Sequence, residues 1–181
     1  MKSDRSPATA QRMRNFAIAI VAIVLVAALS LGLRNQNSAS LEAQAAQSQP
    51  IDVALSNGKP TLMEFYANWC NSCQAMAQDL AMIKQQFGET VNFSMLNVDN
   101  TKWLPEITKY RVDGIPHFVF FDRQASVVAQ AIGEQPRSVL EKNLTALLAG
   151  DPIPHSPSTG EISQFVPKTT PQNDDPRAHG A

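Results

Sequence analysis

From Phe16 to Leu33 the chain is apolar and carries no charge. A helix over that run would reach roughly 27 Å at about 1.5 Å per residue, close to the hydrocarbon thickness of a bilayer. Further on, the apolar positions change period. Ile51–Ser56 reads as a short helical segment, ended by Asn57-Gly58-Lys59-Pro60. Thr61–Tyr66 and Val91–Val98 are short apolar runs that predict buried strands, and Gln74–Phe87 between them has the spacing of an amphipathic helix. Leu104–Tyr110 predicts a short helix, with Pro105 tolerated in its first turn. His117–Phe121 and Ser126–Ile132 predict two strands around a turn at Asp122-Arg123-Gln124. Pro136–Leu148 closes the pattern as a helix with Val139, Leu140, Leu144, Leu147 and Leu148 on one face. Strands alternating with helices, then a hairpin and a last helix, predict the α/β class: a mixed sheet covered by helices on both faces.

Charge and composition divide the chain around this core. Residues 1–15 are basic, with Lys2, Arg5, Arg12 and Arg14 against Asp4, and Arg34 follows the apolar run at 16–33. By the positive-inside rule the basic flank stays in the cytosol and the rest crosses. A cleaved signal peptide is the alternative. Its apolar core is usually about 7–15 residues and ends at a small-x-small site. Ser38-Ala39-Ser40 and Ala43-Gln44-Ala45 fit that pattern but lie well beyond the run, so length favours a retained transmembrane anchor. Residues 34–49, rich in Ala, Ser, Asn and Gln, read as a tether, with room for some helix at Leu41–Gln47. The folded domain is expected over 50–150. The tail, 151–181, holds six of the twelve prolines and few large apolar residues, and is expected to be mostly disordered. A formal net charge of −1 argues against nucleic acid as the main partner. A domain carried across the membrane, into the periplasm or a thylakoid lumen, would sit where disulfides persist and need handling.

The two cysteines stand three residues apart, in Trp69-Cys70-Asn71-Ser72-Cys73, between a predicted strand and a predicted helix. Near the first turn of that helix, unpaired backbone N–H groups and the positive end of the dipole favour a thiolate over a thiol. A thiolate is the species that attacks disulfides. Structural zinc would need about four ligands, and His117, His155 and His179 have no zinc-module spacing, so no metal is assigned. A c-type haem attachment would need His where Gln74 stands. A purely structural bridge closing so small a loop would remove little entropy from the unfolded chain. Thiol–disulfide exchange explains the pair best, and it needs no organic cofactor because the electrons stay on sulfur.

Glu64-Phe65-Tyr66-Ala67-Asn68-Trp69-Cys70-x-x-Cys73, Leu96-Asn97-Val98-Asp99 and Tyr110-Arg111-Val112-Asp113-Gly114-Ile115-Pro116 resemble a thioredoxin over Ile51 to Leu148. With the single anchor, the chain resembles the membrane-tethered thioredoxin-like proteins of the cyanobacterial TxlA type. Those are similar to plastid lumenal proteins that support cytochrome assembly. The resemblance implies that Cys70 attacks, that Cys73 resolves the mixed disulfide, and that Trp69 walls the site. It implies that Pro116 is a cis-proline facing the cysteines, leaving the Ile115 backbone free to pair with an extended client segment. Glu64 takes the place of a buried acid that helps move the Cys73 proton. A Glu at a sheet edge reaching water is the other reading of that residue.

Three positions depart from the thioredoxin pattern. Asn71-Ser72 replaces Gly-Pro between the cysteines, where the dipeptide helps set the potential. Met95 stands where a lysine often accompanies the buried acid, which leaves Glu64 without its usual partner. His117 follows Pro116, and the packed or solvated reading is favoured over a cation that promotes the thiolate. The function expected is a membrane-anchored thiol:disulfide oxidoreductase that reduces extracytosolic protein disulfides, with protein dithiols or disulfides as clients. With no third cysteine it needs an external donor, expected to be a membrane thiol carrier. A disulfide-donating oxidase of the same fold and a non-enzymatic adaptor for assembly clients are the alternatives.

Overall fold

Every residue of β1 (Thr61–Tyr66) is buried, as expected of a strand covered on both faces. In the computed structural model, which describes residues 7–164, β1 is an inner strand of a five-stranded mixed sheet. On one side it pairs in parallel with β2 (Asn92–Asn97), placing Glu64 opposite Met95. On the other it pairs antiparallel with β4 (His117–Phe121), placing Phe65 opposite His117. The parallel pairing requires a crossover, which α4 (Asn71–Phe87) supplies. A hairpin joins β4 to β5 (Val127–Ile132). Its turn is held by the Asp122 carboxylate, which accepts the N–H groups of Gln124 at 2.9 Å and Ser126 at 2.8 Å. Ala125 takes the left-handed conformation there, with φ 59°.

Alternation along the strands divides the core between the two faces. Met63, Phe65, Val119 and Phe121 of one face pack in the cluster that includes both cysteines. This cluster also includes Ile107 from α5 (Leu104–Lys109), which a 3-10 turn at Thr101–Trp103 precedes. Leu62, Phe118 and Phe120 pack on the other face with Leu80 and Ile83 of α4 and Leu140 of α6 (Arg137–Ala149). Phe120→Ala is expected to cost about 3–5 kcal/mol, because the side chain is wholly buried and the sheet can collapse only partly around the void. Chemical denaturation measures this. A loss below about 1 kcal/mol would mean that the site relaxes far more than a packed core should.

The apolar N-terminal run lies in α1 (Pro7–Ser38), long enough and apolar enough over Gln11–Ser30 to cross a membrane, with its described side chains exposed. The chain divides between residues 39 and 40 into this helix and the folded unit.

Two expectations change within the folded unit. The tether expected over 34–49 is helical at α2 (Leu41–Gln47), whose first turn is capped by the Ser40 hydroxyl accepting the Ala43 N–H at 3.2 Å. This helix is packed rather than loose: Leu41 joins the core cluster of the cysteines, and Gln44 is buried. α3 (Ile51–Ser56) follows as expected.

The tail expected to be disordered from 151 is structured as far as Gln164. β6 (Ser158–Thr159) adds to the sheet in parallel beside β5, and β7 (Ser163–Gln164) pairs antiparallel with β3 (Gly114–Ile115). Backbone pairing and polar anchors hold it, which explains how a segment with few apolar residues is ordered. Buried Asn143 accepts the His155 N–H at 3.1 Å and donates to the His155 carbonyl at 3.3 Å. The Ser156 hydroxyl donates to the Gln130 carbonyl at 2.9 Å. Residues 165–181 lie outside the described part.

Candidate active site

The strand-to-helix turn after β1 places Cys70 as the N-cap of α4, three residues earlier than the apolar period suggests. The Cys73 N–H donates to the Cys70 Sγ at 3.0 Å, so one of the helix's orphan donors points at the sulfur. The two cysteines form a disulfide with an S–S distance of 2.08 Å, χ3 of 79° and a Cα–Cα distance of 5.2 Å. Both are 0% exposed. In the reduced protein the same N–H would make a charge-assisted hydrogen bond to a Cys70 thiolate. The loop ahead of the pair is tied at both ends: Gln74 donates to the Asn68 carbonyl, and Asn68 donates to the Glu42 carboxylate of α2 at 3.3 Å.

Trp69 stands beside the pair with 48% of its surface exposed. Its indole N–H donates to the Asp99 carboxylate, at 3.0 Å to Oδ2 and 3.2 Å to Oδ1. Asp99 ends the Leu96-Asn97-Val98-Asp99 segment, and its hold on Trp69 is a contact the sequence did not show.

Glu64 is 2% exposed, so the water-facing reading of this residue does not hold. Its partner is Lys84 of α4, with Nζ 3.8 Å from Oε2. That separation makes an ion pair but is too long for a hydrogen bond. Neither carboxylate oxygen accepts a hydrogen bond among the described residues. Burial therefore raises the Glu64 pKa above the usual carboxylate range, and the Lys84 charge only partly offsets the rise. Burial lowers the Lys84 pKa, against the pull of Glu64.

The Lys84 ammonium is also held by Gln44 Oε1 at 2.8 Å and lies 3.0 Å from the Met95 sulfur. Gln44 in turn donates to the Ala77 carbonyl at 2.7 Å, so α2 closes the floor of the site. The charge that Met95 does not supply to Glu64 thus comes from a lysine on another element. Cys73, Ala77, Leu80 and Lys84 follow each other at helical spacing (i, i+4, i+7, i+11) on the sheet-facing stripe of α4. That stripe was the signal available in the sequence for finding Lys84.

The Ile115–Pro116 peptide bond is cis, and both residues are buried. The Ile115 backbone, expected to be open, is paired: Gly114 lies opposite Gln164 and Ile115 opposite Ser163. His117 is 1% exposed, its Nε2 2.7 Å from Gln130 Oε1 and its ring edge-on to Phe65. Burial lowers its pKa, with the Gln130 contact working the other way, so the neutral imidazole is favoured at neutral pH. The packed reading of His117 agrees with this geometry.

The sequence model of the thioredoxin family, described as "Thioredoxin", matches residues 42–146, which takes in α2 as well as the sheet and helices. A Synechocystis sp. protein named "Thiol:disulfide interchange protein TxlA homolog" is 57% identical over 142 residues, covering 78% of this chain and 79% of its own length. "Thiol:disulfide interchange protein TxlA" of Synechococcus elongatus is 47% identical over 144 residues, covering 78% of this chain and 75% of its own. "Thioredoxin-like protein HCF164, chloroplastic" of Arabidopsis thaliana is 45% identical over 142 residues, covering 78% of this chain but 54% of that longer protein. The match over residues 42–146 and the identity to these relatives decide the family to which the Cys70–Cys73 pair at the N-terminus of α4 belongs: the chain is a member of the thioredoxin family of thiol:disulfide oxidoreductases.

Proposed function

We propose that this chain is a membrane-anchored protein-disulfide reductase, working outside the cytosol on extended protein clients, including clients of cytochrome assembly. The observation that carries the exchange chemistry is the Cys70–Cys73 pair, with the Cys73 N–H aimed at the Cys70 sulfur. In the reduced protein the Cys70 thiolate attacks one sulfur of a client disulfide. The client S–S bond breaks, a Cys70–client disulfide forms, and the departing client thiolate takes up a proton. Cys73 then gives its proton to Glu64 and attacks the Cys70 sulfur. The second client thiolate leaves, and the chain is left as the Cys70–Cys73 disulfide, having passed two electrons to the client. Trp69 and the Ile115–Pro116 segment flank the path by which the client approaches.

The Cys70–Cys73 disulfide must be reduced again by an outside thiol donor, because the chain holds no third cysteine. A membrane thiol carrier is the donor suited to a domain beyond the bilayer. The length and apolarity of α1 support the anchor, and the basic residues that precede its apolar run support an orientation with that end in the cytosol.

The direction of net electron flow is tested by the reduction potential of the Cys70–Cys73 pair, equilibrated against glutathione or dithiothreitol. A reductase is expected to lie nearer the thioredoxin value of about −270 mV than the strongly oxidising value of about −120 mV. A potential at the oxidising end would replace reduction by disulfide donation.

A further inference from the structure

Beyond Asp151 the chain returns along the sheet to the edge beside the cysteines. After the Asn143 and Ser156 anchors, β6 runs beside Ala131 and Ile132. The Gly160 N–H then donates to the Ile132 carbonyl at 2.8 Å, and the Glu134 N–H donates to the Glu161 carbonyl at 2.8 Å. Ile162 follows, packed against Gly114: a Cβ built on that glycine would lie 3.2 Å from the Ile162 Cδ1. Ser163 and Gln164 finish the path as an antiparallel partner of Ile115 and Gly114.

The residues it covers are those immediately before the cis-proline together with Gly133, whose N–H donates to the Pro116 carbonyl at 2.7 Å. Addition of an antiparallel strand is how an extended polypeptide docks on a sheet edge, its main chain supplying the hydrogen bonds. Segment 158–164 does this from within the same chain. Ile162 stays 39% exposed on top of it, so the strap is laid over the edge rather than sunk into the core.

We propose that residues 158–164 are a built-in competitor for the client edge at Gly114–Ile115, which an extended client must displace before its disulfide reaches Cys70. This rests on the exchange function proposed above and adds its regulation. A tethered strand competes at an effective concentration in the millimolar range, set by its short connection rather than by the amount of protein. If the edge is free for only about a tenth to a fifth of the time, apparent client affinity falls by about fivefold to tenfold. The clients that get through are those whose extended segment pairs with this edge better than Glu161–Gln164 does. A small disulfide, which needs no strand pairing, escapes the competition.

The test uses the full chain and two substitutions that release the strap by different means. Gly160→Val sets a side chain against the Glu134 carbonyl, where a Cβ would already overlap the oxygen. Ser163→Pro removes an N–H from the strand paired with Ile115. Both variants, reduced, are expected to raise kcat/KM for insulin reduction at least about threefold, with the rate on the small disulfide DTNB within about twofold of the parent. An active parent whose insulin rate is unchanged or lowered in both variants would overturn the proposal. If neither parent nor variants reduce insulin, the exchange function itself fails. Amide hydrogen exchange then judges the strap alone: slow exchange at 114–115 and 158–164 in the parent, lost in both variants, supports it. Fast exchange there in the parent overturns it.

Discussion

Cys70→Ser is expected to lower insulin reduction at least about a thousandfold, because a serine hydroxyl is a far weaker nucleophile and cannot form the mixed disulfide. Cys73→Ser is expected to abolish turnover to a similar extent by a different route. Attack by Cys70 still occurs, so a stoichiometric burst of client thiol appears and the reaction then stops. The two variants thus differ in single-turnover kinetics while looking alike at steady state. Neither should unfold the domain, since the bridge closes a loop of only two intervening residues and constrains the unfolded chain little. Equal loss of activity and of the burst in both variants would remove the division of labour between attacking and resolving sulfurs. Full complementation of a deletion by both variants would leave only a binding role for the fold.

The second large effect concerns the floor of the site. Glu64→Gln is expected to slow resolution of the mixed disulfide by about a hundredfold, at the lower end of what a positioned proton acceptor supplies. As base, Glu64 must be ionised, so the parent's resolution rate should rise as pH passes the raised Glu64 value. Lys84→Met removes the charge that partly offsets this rise and should move the inflection to higher pH. A purely structural role for Lys84 would change stability without moving the inflection.

The same shift predicts a stability profile of definite sign. The Glu64 pKa is raised in the folded state above its unfolded value of about 4.3. Its stabilising contribution is complete below that unfolded value and is lost as pH rises through the folded one. Removing only one partner would leave a buried group without its counter-charge, so the comparison uses Glu64→Gln with Lys84→Met. The stability of this double variant relative to the parent should be least near pH 4 and grow as pH rises through the Glu64 titration. Denaturation at several pH values below the Lys84 titration reads this difference, and a difference that shrinks with rising pH there would contradict a raised Glu64 value.

Much of the fold was legible because its elements carry unmixed periods. β4 alternates Phe118 and Phe120 toward one core with Val119 and Phe121 toward the other, and the sheet needs both faces covered. The apolar stripe of α4 predicts a start at Gln74, three residues late, since the first turn is fixed by the Cys70 cap rather than by apolar residues. The chemistry of Cys70 and Cys73 could be read from their spacing and their place between strand and helix.

The Glu64 partner is not legible at position 95, its neighbour across the β1–β2 ladder, because the charge comes from Lys84 of α4. A lysine side chain reaches far enough for α4 to provide the same charge from another direction. The docking of α2 was hidden for a related reason. Ala, Gln and Glu announce helix, but Leu41 and Gln44 find their places only on a surface built by distant parts of the chain. The strap was the hardest to see. Proline-rich, weakly apolar sequence reads as disorder, whereas residues 155–164 are held by Asn143, Gln130 and the edges of β5 and β3. Strand addition depends on an available edge more than on the composition of the added strand.

Covalent capture tests the exchange chemistry most directly. The full-length Cys73→Ser chain is to be expressed in a membrane-containing host cell, its thiols blocked with alkylating agent, and its adducts separated without reductant. Discrete adducts with proteins are expected that disappear on reduction and are absent from the Cys70→Ser/Cys73→Ser double variant. Adducts that persist in the double variant, or a Cys73→Ser chain that captures nothing while the parent reduces insulin, would contradict attack by Cys70 on protein disulfides.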